Sequence, residues 1–357
     1  MAEFHNLRIE DIYKETDDTS VVTFEVPSGL EEAFSFRQGQ HLTLKADING
    51  EDVRRSYSLC SSPNEAKWQV AVKQIPGGKF STFINEELQA GDTLEVMAPS
   101  GTFGVDSHPD NDKNYLFFAA GSGITPVMSM IKTHLAAEEN STCKLFYVNK
   151  TAKSIIFKEE LEQLRNTYFG RLEIYYFLTQ ERRDIELFNG RFDDEKMQVL
   201  TRTFIDIPDT NEVFLCGPEK MVHFVSDYLV NAGLPKELVH FELFVTGLSE
   251  EDIKRQERLA KQNVEGTEVV IVDGGKEFLF TMTSDFDNIL DAALNAGADL
   301  PFACKGGVCS TCKCQVTKGE VEMKINYALE DKEVAQNYVL SCQAVPTSDK
   351  VVVDFDV

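Results

Sequence analysis

The chain has 357 residues, 42% of them hydrophobic, and a formal charge of −24 at pH 7. That length suits about two to three folded domains, and so acidic a chain repels phosphate backbones and anionic lipid, which argues against nucleic-acid and membrane-surface partners. No apolar run of roughly 18 residues occurs, and Met1 to Glu10 lacks both a basic and an apolar leader segment, so the sequence reads as a soluble, cytoplasmic protein.

The first hundred residues alternate apolar and polar positions in short runs: Ser20 to Val26, His41 to Ala46, Trp68 to Lys73 and Thr93 to Met97. Asn49-Gly50 supplies a hairpin turn that tolerates positive φ. These features predict a small antiparallel β-barrel over residues 1–110. Arg55-Ser56-Tyr57-Ser58 falls on the strand after that hairpin; a guanidinium suits bidentate phosphate binding and an aromatic face suits a flat ring. Past the strand Val70-Ala71-Val72-Lys73, the segment Gly77-Gly78-Lys79-Phe80-Ser81-Thr82 opens a short helix, whose unpaired first-turn amides attract phosphate.

From Asn114 the pattern changes to apolar strands alternating with amphipathic helices. Strands are expected at Tyr115 to Ala120, Lys144 to Val148, Leu172 to Leu178 and Val213 to Cys216. Helices are expected from about Pro126, near Ser154 to Tyr168, near Asp193 to Thr203, and from Pro218 to Ala232, stopped by Gly233. Such β-α units predict a parallel sheet with helices on both faces, over residues 111–245. Gly121-Ser122-Gly123-Ile124-Thr125-Pro126 lies between strand and helix, where a nucleotide pyrophosphate binds. It is neither the three-glycine Rossmann pattern nor a P-loop, and Pro126 is expected at the first helical position. Cys216-Gly217-Pro218-Glu219 ends a strand and starts a helix, which predicts that Cys216 faces the crevice at the carboxyl edge of the sheet. Lys150, Lys153 and Ser154 follow the second strand, where cations and a hydroxyl suit a ribose 2′-phosphate.

Residues 246–264 are highly charged and lack a sustained hydrophobic face, and they are expected to be a linker. In residues 265–357, Thr267 to Val272 and Glu277 to Met282 pair around Gly274-Gly275, and a helix follows over about Phe286 to Ala296. Cys304, Cys309 and Cys312 then stand at Cys-x4-Cys-x2-Cys spacing, with Cys342 further on. This is the ligand pattern of a plant-type [2Fe–2S] cluster. Four thiolates also suit structural zinc, but a zinc ribbon carries two Cys-x2-Cys knuckles and only one is present. Cys60, Cys143 and Cys314 read as small buried side chains.

Barrel, nucleotide module and four-cysteine module, in that order and with those motifs, resemble the ferredoxin–NADP reductase superfamily fused to a plant-type ferredoxin domain, as in single-component reductases of oxygenases. The resemblance covers nearly the whole chain and includes Ala298 to Pro301, Tyr338 to Ala344 and Val351 to Asp356. It implies a multidomain fold: an antiparallel β-barrel flavin domain, an α/β nucleotide domain and an α+β ferredoxin domain of the β-grasp type. It further implies that Arg55 pairs with flavin phosphate, Tyr57 lies against the isoalloxazine and Ser58 hydrogen-bonds near its N5, with Ser56, Val72, Lys73, Gly78, Lys79, Phe80 and Ser81 completing an FAD site. Gly121, Ser122, Gly123, Thr125, Gly217 and Pro218 would hold NADPH, with Lys150 and Ser154 at its 2′-phosphate. Cys216 would lie beside the nicotinamide, and Phe244, from Phe241-Glu242-Leu243-Phe244, would cover the flavin until nicotinamide displaces it. The implied function is hydride transfer from NADPH to FAD, then single-electron transfer through the cluster to a diiron oxygenase. A Rieske dioxygenase, a desaturase or a hybrid-cluster protein would be served by the same modules.

Overall fold

Residues 3–244 and 250–356 are described by the computed structural model, and they divide into two units. One comprises residues 5–53 and 57–244; the other comprises 250–356, with residues 3–4 and 54–56 grouped with it. Among the described residues, no helix is long and apolar enough to cross a membrane.

The barrel is built from β1 (Phe4–Thr16), β2 (Thr19–Glu25), β3 (His41–Ile48), β4 (Glu51–Ser58), β5 (Trp68–Lys73) and β6 (Thr93–Met97), with α1 (Lys79–Glu86) between the last two. Strand order is β4-β3-β6-β1-β2-β5, and Leu59, just past β4, bridges Val70 of β5 to bring the two edges together. Inward positions such as Leu7, Val22, Leu42, Leu44, Val70 and Phe80 form its core. The β3–β4 turn is the expected Asn49-Gly50, both at positive φ (57° and 80°), with the Asp47 carboxylate accepting from the Gly50 amide at 2.8 Å.

The nucleotide module contains β7 (Asn114–Ala120), α2 (Ile124–Ala137), β8 (Thr142–Asn149), α3 (Lys158–Thr167), β9 (Leu172–Leu178), α4 (Asp194–Thr203), β10 (Glu212–Gly217), α5 (Glu219–Asn231) and β11 (Val239–Leu243). All five strands run parallel in the order β11-β10-β7-β8-β9. The order reverses between β7 and β10, so their carboxyl ends frame a crevice that ligands can enter. Pro126 is the third residue of α2 and not the first, because a 3₁₀ turn over Gly121–Gly123 runs directly into the helix. The position is still tolerated, since a first-turn amide has no intrahelical partner to lose.

Just past α2, Glu138 is buried, yet it accepts from Tyr115 Oη at 2.9 and 3.1 Å, Asn111 Nδ2 at 2.9 Å and His134 Nδ1 at 3.0 Å. Burial alone would raise its pKa, but hydrogen bonding to His134 first, then to Ser141 and Asn111, holds it at about 2, below its ordinary 4.5. A depressed carboxylate stabilises the fold above pH 4.5, and that contribution fades as pH falls toward 2. Glu138→Gln is expected to cost about 2–4 kcal/mol at neutral pH and to flatten the acid limb of the stability curve. Urea melts at several pH values check this; an acid limb as steep as that of the wild type would refute it.

The second unit begins with α6 (Glu250–Leu259), followed by β12 (Glu268–Asp273), β13 (Lys276–Thr281), α7 (Ile289–Asn295), β14 (Lys313–Lys318), β15 (Val321–Met323), α8 (Asp331–Ala335), β16 (Tyr338–Leu340), β17 (Ala344–Pro346) and β18 (Lys350–Asp354). Its five-stranded sheet has the order β13-β12-β18-β14-β16, with β12 and β18 parallel. Gly274 and Gly275, both at positive φ, turn β12 into β13, and the Asp356 carboxylate accepts from their two amides at 2.6 and 2.8 Å. The stretch expected as linker carries α6. This helix attaches through polar side chains, Asp252 to Tyr327 Oη and Arg258 to Glu322, while Leu259 and then Val264 enter the unit's core. Residues 246–249 of that stretch lie outside the described residues.

Candidate functional site

The Arg55-Ser56-Tyr57-Ser58 run occupies the end of β4, with Arg55 exposed, Ser56 and Tyr57 half-buried and Ser58 buried. Arg55 Nη1 donates to the Arg54 carbonyl at 2.7 Å. The Tyr57 ring lies 6.0 Å from that of Phe80, centroid to centroid. Val72 and Phe80 are core residues of the barrel, so their side chains pack inward and only their backbone can meet a ligand. At the start of α1 the N-cap Gly78 has no side-chain cap, which leaves first-turn amides available to an anion. Ser81 Oγ accepts from the Ile75 amide at 3.1 Å and donates to the Gly78 carbonyl at 3.3 Å, shaping that turn. Lys73 pairs with Asp18 at 3.3 Å and Lys79 pairs with Glu51. If a flavin ring sits against Tyr57, as the motif implies, Tyr57→Ala would remove its aromatic support; flavin affinity is then expected to fall about tenfold or more, read from the flavin-to-protein absorbance ratio after gel filtration.

At the switch point of the parallel sheet, the Gly121-Ser122-Gly123 turn touches the end of β10. A Cβ on Gly123 would sit 2.2 Å from the Cys216 carbonyl oxygen, so only glycine fits there. Gly121 has φ 54° and open space around its absent Cβ, the concave backbone that a phosphate group can fill. Thr125 Oγ1 donates to the Ser122 carbonyl at 3.0 Å, and Tyr147 Oη donates to that of Gly121 at 2.9 Å. Gly217 brings its Cα against Ala120 and Met221, and Pro218 is the N-cap of α5.

Cys216, expected to face this crevice, has no exposure and belongs to the module's core. Burial first, then the neighbouring Glu242 charge, pushes its thiol well up, so it is a neutral S–H and not a thiolate. Glu242 stands in the motif that supplied Phe244, where it was given no role of its own. It pairs with Cys216 across β10 and β11, and its Oε2 accepts from Ser58 Oγ at 3.3 Å. The signal available was a carboxylate two positions before Phe244, near the end of a short strand. Phe244 packs on the core that contains Cys216, and its amide donates to the Gly217 carbonyl at 3.1 Å. Ser58, Glu242, Cys216 and Phe244 thus gather a hydroxyl, a carboxylate, a neutral thiol and an aromatic ring at strand ends beside the crevice.

Past the second strand, Lys150 and Lys153 are exposed, whereas Ser154 Oγ is engaged in its own 3₁₀ turn, donating to the Thr151 carbonyl and accepting from its amide. Glu181 accepts from the Ala152 amide at 2.8 Å.

In the second unit the four cysteines come together two by two. Cys304 and Cys309 Sγ are 3.1 Å apart, and Cys312 and Cys342 hydrogen-bond each other. Among the described residues no three His, Cys, Asp or Glu side chains converge as they would on a single ion. Two pairs of thiols suit a cluster with two irons, each taking two cysteines. A second thiol against each, followed by burial, pushes Cys304 and Cys312 up, while Cys342, accepting from Cys312, is lowered. The Gly306 amide donates to Cys304 Sγ at 3.3 Å. Gly307, at φ 74°, lies where a Cβ would meet Ile325 at 3.2 Å and Gln343 at 3.3 Å. Thr311 Oγ1 and Ser341 Oγ, next to Cys312 and Cys342, are buried without a protein partner, as suits hydroxyls that would find sulfur acceptors on a bound cluster. Cys309, Cys312 and Cys342 are buried and Cys304 is half-buried, so the loop side is the short way to the surface. Cys60, Cys143 and Cys314 are buried, as expected.

Three family models match the chain: an oxidoreductase FAD-binding domain over residues 6–104, an oxidoreductase NAD-binding domain over 117–227, and a 2Fe-2S iron-sulfur cluster binding domain over 271–347. Fold and site therefore define an NAD(P)H-dependent oxidoreductase that combines flavin with a [2Fe–2S] centre. The chain belongs to the family of fused flavin and iron–sulfur reductases that serve oxygenases, the fold class and activity the sequence motifs implied. It is 44% identical to one of the subunits of 1,2-phenylacetyl-CoA epoxidase from Escherichia coli, over 100% of this chain and 99% of that protein. It is 32% identical to the ferredoxin reductase component of 3-ketosteroid-9-alpha-monooxygenase from Rhodococcus rhodochrous, over 98% and 96%. Among solved structures it resembles phthalate dioxygenase reductase in fold, with TM-score 0.59, 24% identity, and coverage of 99% of this chain and 98% of that one. An intact type IV self-sufficient cytochrome P450 monooxygenase gives TM-score 0.70 at 24% identity, over 98% of this chain and 41% of that longer one.

Proposed function

We propose that this chain takes hydride from NADPH and delivers electrons one at a time to a diiron oxygenase that oxidises the aromatic ring of phenylacetyl-CoA. The observation that carries the reading is the 44% identity, end to end, with the corresponding component of that epoxidase. When bound, FAD supplies the conversion between an electron pair and single electrons. Arg55 and the first-turn amides of α1 hold the flavin phosphates, and Tyr57 supports the ring. Ser58, fixed by Glu242, presents its hydroxyl to the flavin. The amides of the Gly121–Thr125 turn bind the nucleotide pyrophosphate; Cys216, Gly217 and Pro218 shape the nicotinamide place; Phe244 guards the flavin face. Cys304 and Cys309 hold one iron of the cluster, Cys312 and Cys342 the other.

NADPH is favoured by the two exposed lysines, Lys150 and Lys153, at the ribose end of the crevice. Glu181, at the Ala152 amide, is the contrary feature, because a carboxylate there suits a free 2′-hydroxyl. Flavin reduction is expected to show kcat/KM at least about tenfold higher with NADPH than with NADH, and Lys150→Ala to erase much of that ratio; equal values, or a preference for NADH, would contradict the assignment. For the acceptor, the purified oxygenase components of phenylacetyl-CoA epoxidase should turn over with this protein and NADPH. Failure there, with activity toward a Rieske oxygenase instead, would replace the proposed partner.

A further inference from the structure

Gln343 follows the ligand Cys342 and is 4% exposed. Its backbone is held at both ends: its amide donates to the Leu340 carbonyl at 2.8 Å, and its carbonyl accepts from the Lys324 amide at 2.9 Å. The side chain turns back over the cluster loop. Its Nε2 donates to the Lys305 carbonyl at 2.9 Å and to Cys342 Sγ at 3.6 Å, one hydrogen for each. Lys305 is a non-glycine residue of that loop in the left-handed region, at φ 49°, and Gly307, lacking a Cβ, leaves the space that the Gln343 Cγ fills. Buried amides with this much anchoring cost conformational freedom and desolvation, so the two contacts made are what the position is built for.

We propose that Gln343 is a positioning residue of the [2Fe–2S] centre, which ties the loop down at Lys305 and raises the cluster's reduction potential through its hydrogen bond to the Cys342 sulfur. The inference rests on the reading of the four cysteines as cluster ligands. A reduced cluster carries one more negative charge, spread over its sulfurs, so a fixed donor to a ligand sulfur stabilises the reduced form more than the oxidised one. Gln343→Leu keeps the bulk and removes the donor. Gln343→Glu keeps the shape, removes the donor when ionised and adds a negative charge.

The test is an EPR-monitored redox titration of the full-length holoprotein, with the flavin midpoint, belonging to the other unit, as internal reference. Gln343→Leu is expected to shift the cluster's reduced-to-oxidised ratio about tenfold toward oxidised at fixed potential, equal to about 59 mV for a one-electron couple. Gln343→Glu should shift it further in the same direction, and in both variants the flavin midpoint should stay put. Variants with full iron and sulfide and an unmoved cluster midpoint would overturn the proposal. Should the variants fail to load, the wild-type protein decides the matter: with nitrogen-15 in glutamine side-chain amides, pulsed EPR of the reduced cluster is expected to show a coupling to that nitrogen, and its absence would equally overturn the role. A wild-type protein that holds no cluster would instead remove the underlying reading of the cysteines.

Discussion

Cys309→Ser is expected to abolish the iron–sulfur absorbance and the delivery of electrons to one-electron acceptors, while NAD(P)H still reduces the flavin at close to the wild-type rate. Cys309 Sγ is the partner of Cys304 at 3.1 Å, so on the proposed reading the change would take away half of one iron's protein ligands. Alterations one shell out already cost about 10–100-fold at metal sites, and loss of a ligand should reduce cytochrome c reduction by about 100-fold or more. The separation of the two activities follows from the cores. The barrel core and the cluster that the nucleotide module shares with barrel residues such as Val21 and Ala71 lie in one unit, whereas Cys312 and Cys342 belong to a third cluster, in the other unit. Stopped-flow flavin reduction beside steady-state cytochrome c reduction reads both halves. Equal loss of both activities would mean that the modules depend on one another for folding.

Gly123→Ala should leave flavin bound but lower kcat/KM for NAD(P)H by about 100-fold. The new methyl would lie 2.2 Å from the Cys216 carbonyl oxygen and 2.6 Å from its carbon. Both are backbone atoms of β10, locked in register beside β7 from Glu212↔Tyr115 to Cys216↔Ala119, so they cannot yield. The start of α2 must move instead, by about 1 Å, and misplacement on that scale is enough for such a loss. Gly121→Ala is the control: its Cβ meets open space, and only the left-handed backbone, at φ 54°, is penalised, by about 1–2 kcal/mol. A Gly123→Ala protein no worse than Gly121→Ala would refute the close approach of the two loops.

How much of this was legible beforehand depended on what kind of force shapes each element. β7, β8 and β10 are buried on both faces, and such strands announce themselves as apolar runs. The spacing of the four cysteines stood out for a different reason, since the iron geometry of a cluster would impose ligand spacing directly on the sequence. By contrast, α6 escaped notice because it is held by Asp252, Arg258 and the terminal Leu259, and polar attachments leave no hydrophobic stripe. β1 was likewise unmarked: Leu7 and Ile9 are its buried positions, set among Arg8, Glu10 and Asp11. Glu242 and Gln343 belong to a third kind. Each is a polar residue whose worth lies in a partner distant in sequence, Ser58 for the one and Lys305 for the other, and periodicity carries no information about such pairs. Cys216 shows the converse, for its strand-end place was readable while its complete burial depended on the packing of β11 beside it.

The most direct test of the central claim, that one chain joins a two-electron flavin to a one-electron iron–sulfur centre, is an anaerobic titration of the purified protein with NADPH, followed by absorbance. Flavin and cluster bands should bleach in the same titration, with about three electrons taken up per chain, two by the flavin and one by the cluster. A preparation without colour, or one that bleaches as flavin alone and contains zinc without inorganic sulfide, would contradict it.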